Sequence, residues 1–254
     1  MIDAHIHLDW YKKDEQAIIL KDLNHYNIEG LVAVSSDYDS CRNVLELASN
    51  NTKIFPALGW HPEQEPIQPS ILEKILQLIK REKNNIVAIG EIGLPYYLKK
   101  ENPQLDSHVY ERILGEFLQV ANQSQLPVVL HAVYEDADTV LRMLDNERIE
   151  KAHFHWFKGS KTTMKKMIER GYVISVTPDC LYEKEIQEII RYYPLDLMIV
   201  ETDGPWPFEG PFQDQMTHPK MLVDSIAKIA EIKNLPFGEV RTTVTSVTKQ
   251  FYQI

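Results

Sequence analysis

Short apolar runs alternate along the chain with longer segments in which apolar residues recur at helical spacing. Such a segment follows each of eight strand-like runs; in 71–84, for example, Ile71, Leu72, Ile75, Leu76 and Ile79 form one stripe. The eight runs are IDAHIH, GLVAVSS, KIFPALG, IVAIGEIG, PVVLHAV, KAHFHWF, YVISVT and LMIVETD. The pattern therefore predicts eight strand–helix units in succession.

The order of these units predicts the architecture. Strands that alternate with helices form right-handed crossovers and a parallel sheet. Eight units within 254 residues favour an α/β fold of the (β/α)₈ TIM-barrel type, with one domain spanning residues 1–254. The alternative is an open doubly wound sheet. Its dinucleotide-binding version is disfavoured because no glycine-rich phosphate loop follows the first strand.

Composition narrows the class of protein. With 44% hydrophobic residues the chain can build a full core without disulfides, and Cys41 and Cys180 show no pairing pattern. The net charge of −10 argues against a protein that coats long nucleic acid, but not against one that grips a short end with metal ions. No run is long enough to cross a bilayer, and no signal-peptide pattern opens the chain. We expect a reduced, cytoplasmic protein without a membrane partner.

Histidines and acids gather where the predicted strands end. His5 and His7 lie two residues apart in the first strand and so face the same side. The others follow strands four, five, six and eight, and they are Glu91, His131, His153, His155, Glu201 and Asp203. The carboxyl ends of barrel strands meet at one mouth, and such groups are costly to bury there without partners. Divalent cations would resolve this cost, and a bridging carboxylate could join two of them.

The motifs that carry these residues resemble those of the TatD family of metal-dependent deoxyribonucleases, which are amidohydrolase-like barrels. The similarity covers essentially the whole chain and depends on the order and spacing of the motifs. They are HIHLD at the start, GWHP at 59–62, GEIGLPYY from Gly90, LPVVLH up to His131, HWFKGS from His155 and ETDGPW from Glu201.

The resemblance implies a set of metal ligands and two catalytic residues. Glu91 would bridge two divalent ions (Mg, Mn or Zn), and Asp203 would orient or deprotonate the attacking water. The implied metal ligands are His5, His7, Glu91, His131, His155 and Asp203. His153 is expected to lie behind the ligands or in the core. Glu201 would either bond a ligating imidazole or be a buried acid paired with a lysine.

Four further residues are candidate substrate contacts. The family places a histidine near the substrate where this chain has His61, so His61 would bond a phosphate or a leaving group; otherwise it is a loop residue fixed by the following proline. Trp60 and Trp206 would stack on a base or form the floor of a small pocket, or would simply pack loops. Lys158 would act as a point charge for phosphate, or would be a solvated residue at a helix start.

Some positions depart from the family pattern, and they leave the substrate open. Pro95 stands where the family usually has aspartate, and Val133 stands where it usually has an arginine able to bind phosphate. The leading prediction is a phosphodiester hydrolase, an exonuclease on DNA or RNA ends. The alternatives are a hydrolase of a small amide, lactone or phosphate ester, and a non-catalytic barrel. The expected partner is a nucleic acid end or a small phosphate compound; no protein partner is inferred, and a monomer is expected.

Overall fold

All eight predicted strands form one parallel sheet whose spatial order follows the chain. This arrangement is seen in a computed structural model that describes residues 1–254. The strands, β1 to β8, are Ile2–Ile6, Gly30–Val34, Ile54–Leu58, Ala88–Gly93, Val128–His131, Ala152–Phe154, Val173–Val176 and Met198–Val200.

Backbone hydrogen bonds close this sheet into a barrel. The amide of Asp203, just after β8, donates to the carbonyl of His5 at 3.0 Å, and the amide of His7 donates to Gly204 at 2.8 Å. The last strand therefore meets the first, which confirms the (β/α)₈ barrel and excludes the open doubly wound sheet.

Ten α-helices surround or cap the barrel, and one of them was not expected from the sequence. This helix, α4, has six residues, too few to show a period of apolar positions. The helices, α1 to α10, are Lys13–Asp22, Tyr38–Asn50, Pro69–Glu82, Tyr96–Glu101, Ser107–Ser124, Glu135–Asn146, Lys161–Glu169, Lys184–Tyr192, Leu222–Lys233 and Phe237–Tyr252. None of the ten combines the length and the apolar character that crossing a membrane requires.

Two strands end earlier than the apolar pattern indicates. β6 stops at Phe154 and β8 at Val200, so His155 and Asp203 belong to the loops that follow. The backbone takes left-handed dihedral angles at Trp156 (φ 38°) and at Asp203 (φ 48°), which ends the extended conformation. The loops, and not the strands themselves, therefore set the direction of these side chains.

An apolar plug fills the end of the barrel opposite these loops. It consists of buried residues from seven strands together with Phe251 and Tyr252 from the end of α10. The remaining strand, β6, contributes the fully buried His153, whose ring nitrogens lie 2.7 Å from Tyr252 Oη and Ser175 Oγ. The predicted metal ligands therefore lie above this plug, at the carboxyl ends of the strands.

Candidate metal centre

The carboxylate of Glu91, at the end of β4, lies between two pairs of imidazoles. Its Oε2 atom is 3.2 Å from His5 Nε2 and 3.1 Å from His7 Nε2. Its Oε1 atom is 2.7 Å from His155 Nε2 and 3.1 Å from His131 Nδ1. Glu91 has no exposed surface. Each oxygen therefore serves its own pair, as a carboxylate that bridges two cations must.

Asp203 completes the first of these groups. Its Oδ1 atom lies 3.3 Å from His5 Nε2 and 3.6 Å from His7 Nε2. The ligand atoms of these three residues, which we call the first cluster, lie within 4.8 Å of one another. They come from opposite ends of the sequence, and the β1–β8 closure brings them together.

His61 lies closer to the centre than a substrate contact requires. Its Nε2 atom is 3.5 Å from Glu91 Oε1, and His61, Glu91 and His131 form another group whose ligand atoms lie within 4.8 Å. We call His131 and His155 the second cluster, with His61 beside it. Burial lowers the pKa of His61 to about 4, so its imidazole is neutral near pH 7.

The residues fit divalent cations. The buried oxygens Glu91 Oε2 and Asp203 Oδ1 accept no hydrogen bond. A buried carboxylate oxygen without a donor is costly, and a cation removes that cost. Imidazole nitrogens combined with carboxylate oxygens suit zinc, manganese or iron, and magnesium tolerates the carboxylate-rich part.

Electrostatics at the centre favour positive charge. Burial alone would raise the pKa of Glu91, but the imidazoles of His155, His61 and His5 hold it well below its ordinary value. Burial and the His155 charge would lower the pKa of His5, yet Glu91 and Asp203 raise it to about 9. Protons and cations therefore compete for the same atoms, as is general for imidazole ligands.

Glu91 and His131 come together because β4 and β5 approach each other closely at Gly93. A Cβ atom on Gly93 would lie 1.9 Å from the backbone oxygen of His131, far inside van der Waals contact. Only a residue without a side chain allows this approach. Gly93, the second glycine of the GEIG motif, therefore allows β4 and β5 to pack closely beside the metal centre.

Two residues behind the ligands lie where the sequence predicted. Glu201 Oε1 accepts a hydrogen bond from the Trp156 amide at 2.7 Å and lies 3.5 Å from His155 Nδ1, and no lysine pairs with it. The prediction that it partners a ligating imidazole therefore fits better than the lysine alternative. His153, 3.7 Å from Glu201, belongs to the buried network at the bottom of the barrel.

Glu63 is a member of the site that sequence reasoning missed. It follows the GWHP motif, and its Oε1 atom lies 3.1 Å from His131 Nε2. The signal available in the sequence was an acid two residues after a strand-end histidine. Trp10, which follows the HIHLD motif, stacks on His7 with 4.1 Å between the ring centres, and 50% of its surface is exposed.

Of the candidate substrate contacts, Trp206 and Lys158 lie at the mouth of the barrel, whereas Trp60 lies in the core. Trp206 is 57% exposed and meets the edge of Trp156, and Lys158 Nζ lies 5.1 Å from the centre of the Trp156 ring. Trp60, in contrast, is 3% exposed and packs in the core beside Tyr110. The prediction that Trp60 contacts substrate is therefore wrong, because neighbouring side chains cover its ring.

The family model for TatD related DNase matches residues 2–253, nearly the entire chain. The chain belongs to this TatD family. A metal-dependent hydrolase of Haemophilus influenzae is 36% identical over 257 residues, which cover 100% of both chains. The human deoxyribonuclease TATDN3 is 25% identical over 254 residues, covering 96% of this chain and 92% of the relative.

A solved TatD structure has the same fold. The crystal structure of the TatD homologue YjjV from Escherichia coli K12 superposes with a TM-score of 0.89 at 26% identity, covering 100% of this chain and 98% of that one. This TatD protein is thus a member of a family of metal-dependent hydrolases, and it offers His, Glu and Asp groups able to hold metal.

Pro95 and Val133, which stand where the TatD family usually has aspartate and arginine, add no positively charged side chain to the site. Val133 is 3% exposed and Pro95 precedes α4. The nearby Lys99 is paired with Asp136, so its charge is already engaged. Phosphate recognition through an arginine fork is therefore absent at this position.

Proposed function

We propose that this protein hydrolyses phosphodiester bonds at the ends of nucleic acid strands, with DNA as the first candidate, using two divalent cations. The observation that carries the proposal is the position of Glu91, whose two oxygens each face a separate pair of imidazoles. The deoxyribonuclease name of the human relative supports the choice of substrate.

Each cluster would hold one cation. His5, His7 and Asp203 form the first set, His131 and His155 form the second, and Glu91 would contribute one oxygen to each. When bound, such ions activate water at neutral pH and offset negative charge on the reacting phosphoryl group. The ion among Mg²⁺, Mn²⁺ and Zn²⁺ that best restores activity to metal-free protein identifies the preferred cation.

Asp203 is the residue we propose to orient the attacking water and to take its proton. Its side chain is 11% exposed, whereas Glu91 has no exposed surface and cannot reach a substrate directly. Glu91 would act by holding the two clusters together. The neutral His61 can donate a hydrogen bond to a phosphate oxygen or to the leaving group.

An activity assay with defined substrates tests the function. Metal-free protein is supplied with Mg²⁺, Mn²⁺ or Zn²⁺ and incubated with oligonucleotides labelled at either end, in parallel with a panel of small amides, lactones and phosphate esters. We expect stepwise shortening of the oligonucleotide. An active protein that never shortens an oligonucleotide, yet cleaves a small ester or amide, would establish the small-molecule alternative. That alternative is favoured by Val133, which is buried and stands where the family usually has a phosphate-binding arginine.

Lys158 and Trp206 are the proposed substrate contacts at the mouth. Substituting Lys158→Ala or Trp206→Ala should raise KM about tenfold and change kcat little, because each contact is worth on the order of 1–2 kcal/mol in binding. Steady-state kinetics on a labelled oligonucleotide provides the measurement. Trp60→Phe, a conservative change in the core, serves as the control and should leave KM unaltered.

We further propose that the protein is a cytoplasmic monomer. Cys41 and Cys180 are both buried and free, which is typical of proteins from a reducing compartment. Light scattering of the purified protein tests the oligomeric state.

A further inference from the structure

Glu63 holds a position that the two clusters alone do not explain. It lies in the loop after β3 with 14% of its side chain exposed. Its Oε1 atom accepts a hydrogen bond from the Tyr97 amide at 2.8 Å, and its Oε2 atom accepts one from the Leu98 amide at 2.7 Å. The same Oε1 atom lies 3.1 Å from His131 Nε2. The carboxylate is thus fixed by the backbone of α4 and turned toward one imidazole.

His131 is oriented differently from the other three imidazoles. His5, His7 and His155 approach Glu91 through Nε2, whereas His131 approaches it through Nδ1. The Nδ1 atoms of His5 and His7 have no hydrogen-bond partner, and that of His155 only approaches Glu201 Oε1 at 3.5 Å without forming a hydrogen bond. Among the four, His131 is therefore the one whose outward nitrogen forms a hydrogen bond with an acceptor, at 3.1 Å from Glu63 Oε1.

The chemistry of this contact fixes a tautomer. A carboxylate only accepts hydrogen bonds, so the proton of a neutral His131 must reside on Nε2, which faces Glu63. The lone pair then resides on Nδ1, which is 3.1 Å from Glu91 Oε1 and 3.3 Å from His155 Nε2. That is the direction in which the second cation would be held.

We propose that Glu63 is a positioning residue that holds His131 in the tautomer and ring orientation needed to bind the second cation. The inference rests on the proposed two-cation function. It assigns Glu63 no contact with the cation, because both of its oxygens are already engaged. A carboxylate behind a ligating imidazole raises the basicity of the ligand and reduces the freedom of the ring.

Calorimetric titration of metal-free protein with Mn²⁺ tests this role. We expect two binding events in the unmodified protein. Glu63→Ala should weaken one of them about 10–100-fold and leave the other unchanged. Glu63→Gln should have an intermediate effect, since its amide oxygen can still accept from His131 while its NH₂ group opposes the Leu98 amide. Glu65→Gln removes a charge from an exposed position in the same loop and should match the unmodified protein.

A double substitution separates positioning from a general structural effect. His131→Ala should retain one binding event, and adding Glu63→Ala to it should cause no further loss, because the residue through which Glu63 acts is already absent. If Glu63→Ala does not fold, Glu63→Gln is used in the same design.

The outcomes that contradict the inference are distinct from those that contradict the function. Two events that persist unchanged in both Glu63 variants overturn the positioning role and leave the function intact. Equal weakening of both events, or further loss in the His131→Ala background, also overturns it. Fewer than two events in the unmodified protein overturn the two-cation function and the inference with it.

Discussion

Glu91→Gln is expected to reduce hydrolysis by about a thousandfold, equivalent to roughly 4 kcal/mol of transition-state stabilisation. The amide replaces one carboxylate oxygen by an NH₂ group, which would face either His5 and His7 or His131 and His155. It also removes the negative charge that draws the imidazoles together. The substitution should therefore impair both proposed cation sites at once, unlike a change at any single imidazole.

Metal content and kinetics together measure this effect. The number of Mn²⁺ ions retained after dialysis should fall together with kcat on a labelled oligonucleotide. Glu150→Gln is the matched control, because it makes the same chemical change at an exposed residue just before β6, at the opposite end of the barrel. A Glu91→Gln variant that keeps a tenth or more of the activity would contradict the bridging role.

Removal of divalent ions should abolish activity entirely while leaving the barrel folded. The apolar core and the plug of the barrel do not depend on the centre, so secondary structure should persist. Stability should nevertheless fall, because an ion held at a hundred times its dissociation constant stabilises the native state by about 2.7 kcal/mol. For a chain of this size each ion then corresponds to about 5–10 °C in Tm.

Chelation followed by thermal unfolding and re-addition of Mn²⁺ tests this prediction. Activity and Tm should recover together as Mn²⁺ is titrated back. A protein that hydrolyses no substrate with or without Mn²⁺, and whose Tm does not change on chelation, would favour the non-catalytic barrel. Full activity without bound metal, confirmed by elemental analysis, would contradict the proposed mechanism even if the substrate were correct.

The centre illustrates how a barrel converts distant residues into one site. His5 and Asp203 are 198 positions apart, yet closure of β1 against the segment after β8 places their side chains 3.3 Å apart. Glu91 and His131 meet because Gly93 allows their strands to approach. The backbone contacts between neighbouring strands therefore determine the spacing of the clusters.

The strands, their parallel order and the polar residues at their ends could be predicted from the amino-acid sequence alone. Apolar periodicity is a local property, and each strand, with its terminal histidine or acid, can be recognised without its neighbours. The early ends of β6 and β8 could not be predicted in this way, because they depend on the turns at Trp156 and Asp203.

The atoms that face one another in the site could not be predicted without the packing of the elements in three dimensions. The burial of Trp60, the orientation of His131 through Nδ1 and the contact between Glu63 and His131 all depend on segments far apart in the chain. The six residues of α4, whose amides hold Glu63, carry no periodic signal of their own. The physical reason is that side-chain direction within a site is set by packing between elements, which local propensity does not encode.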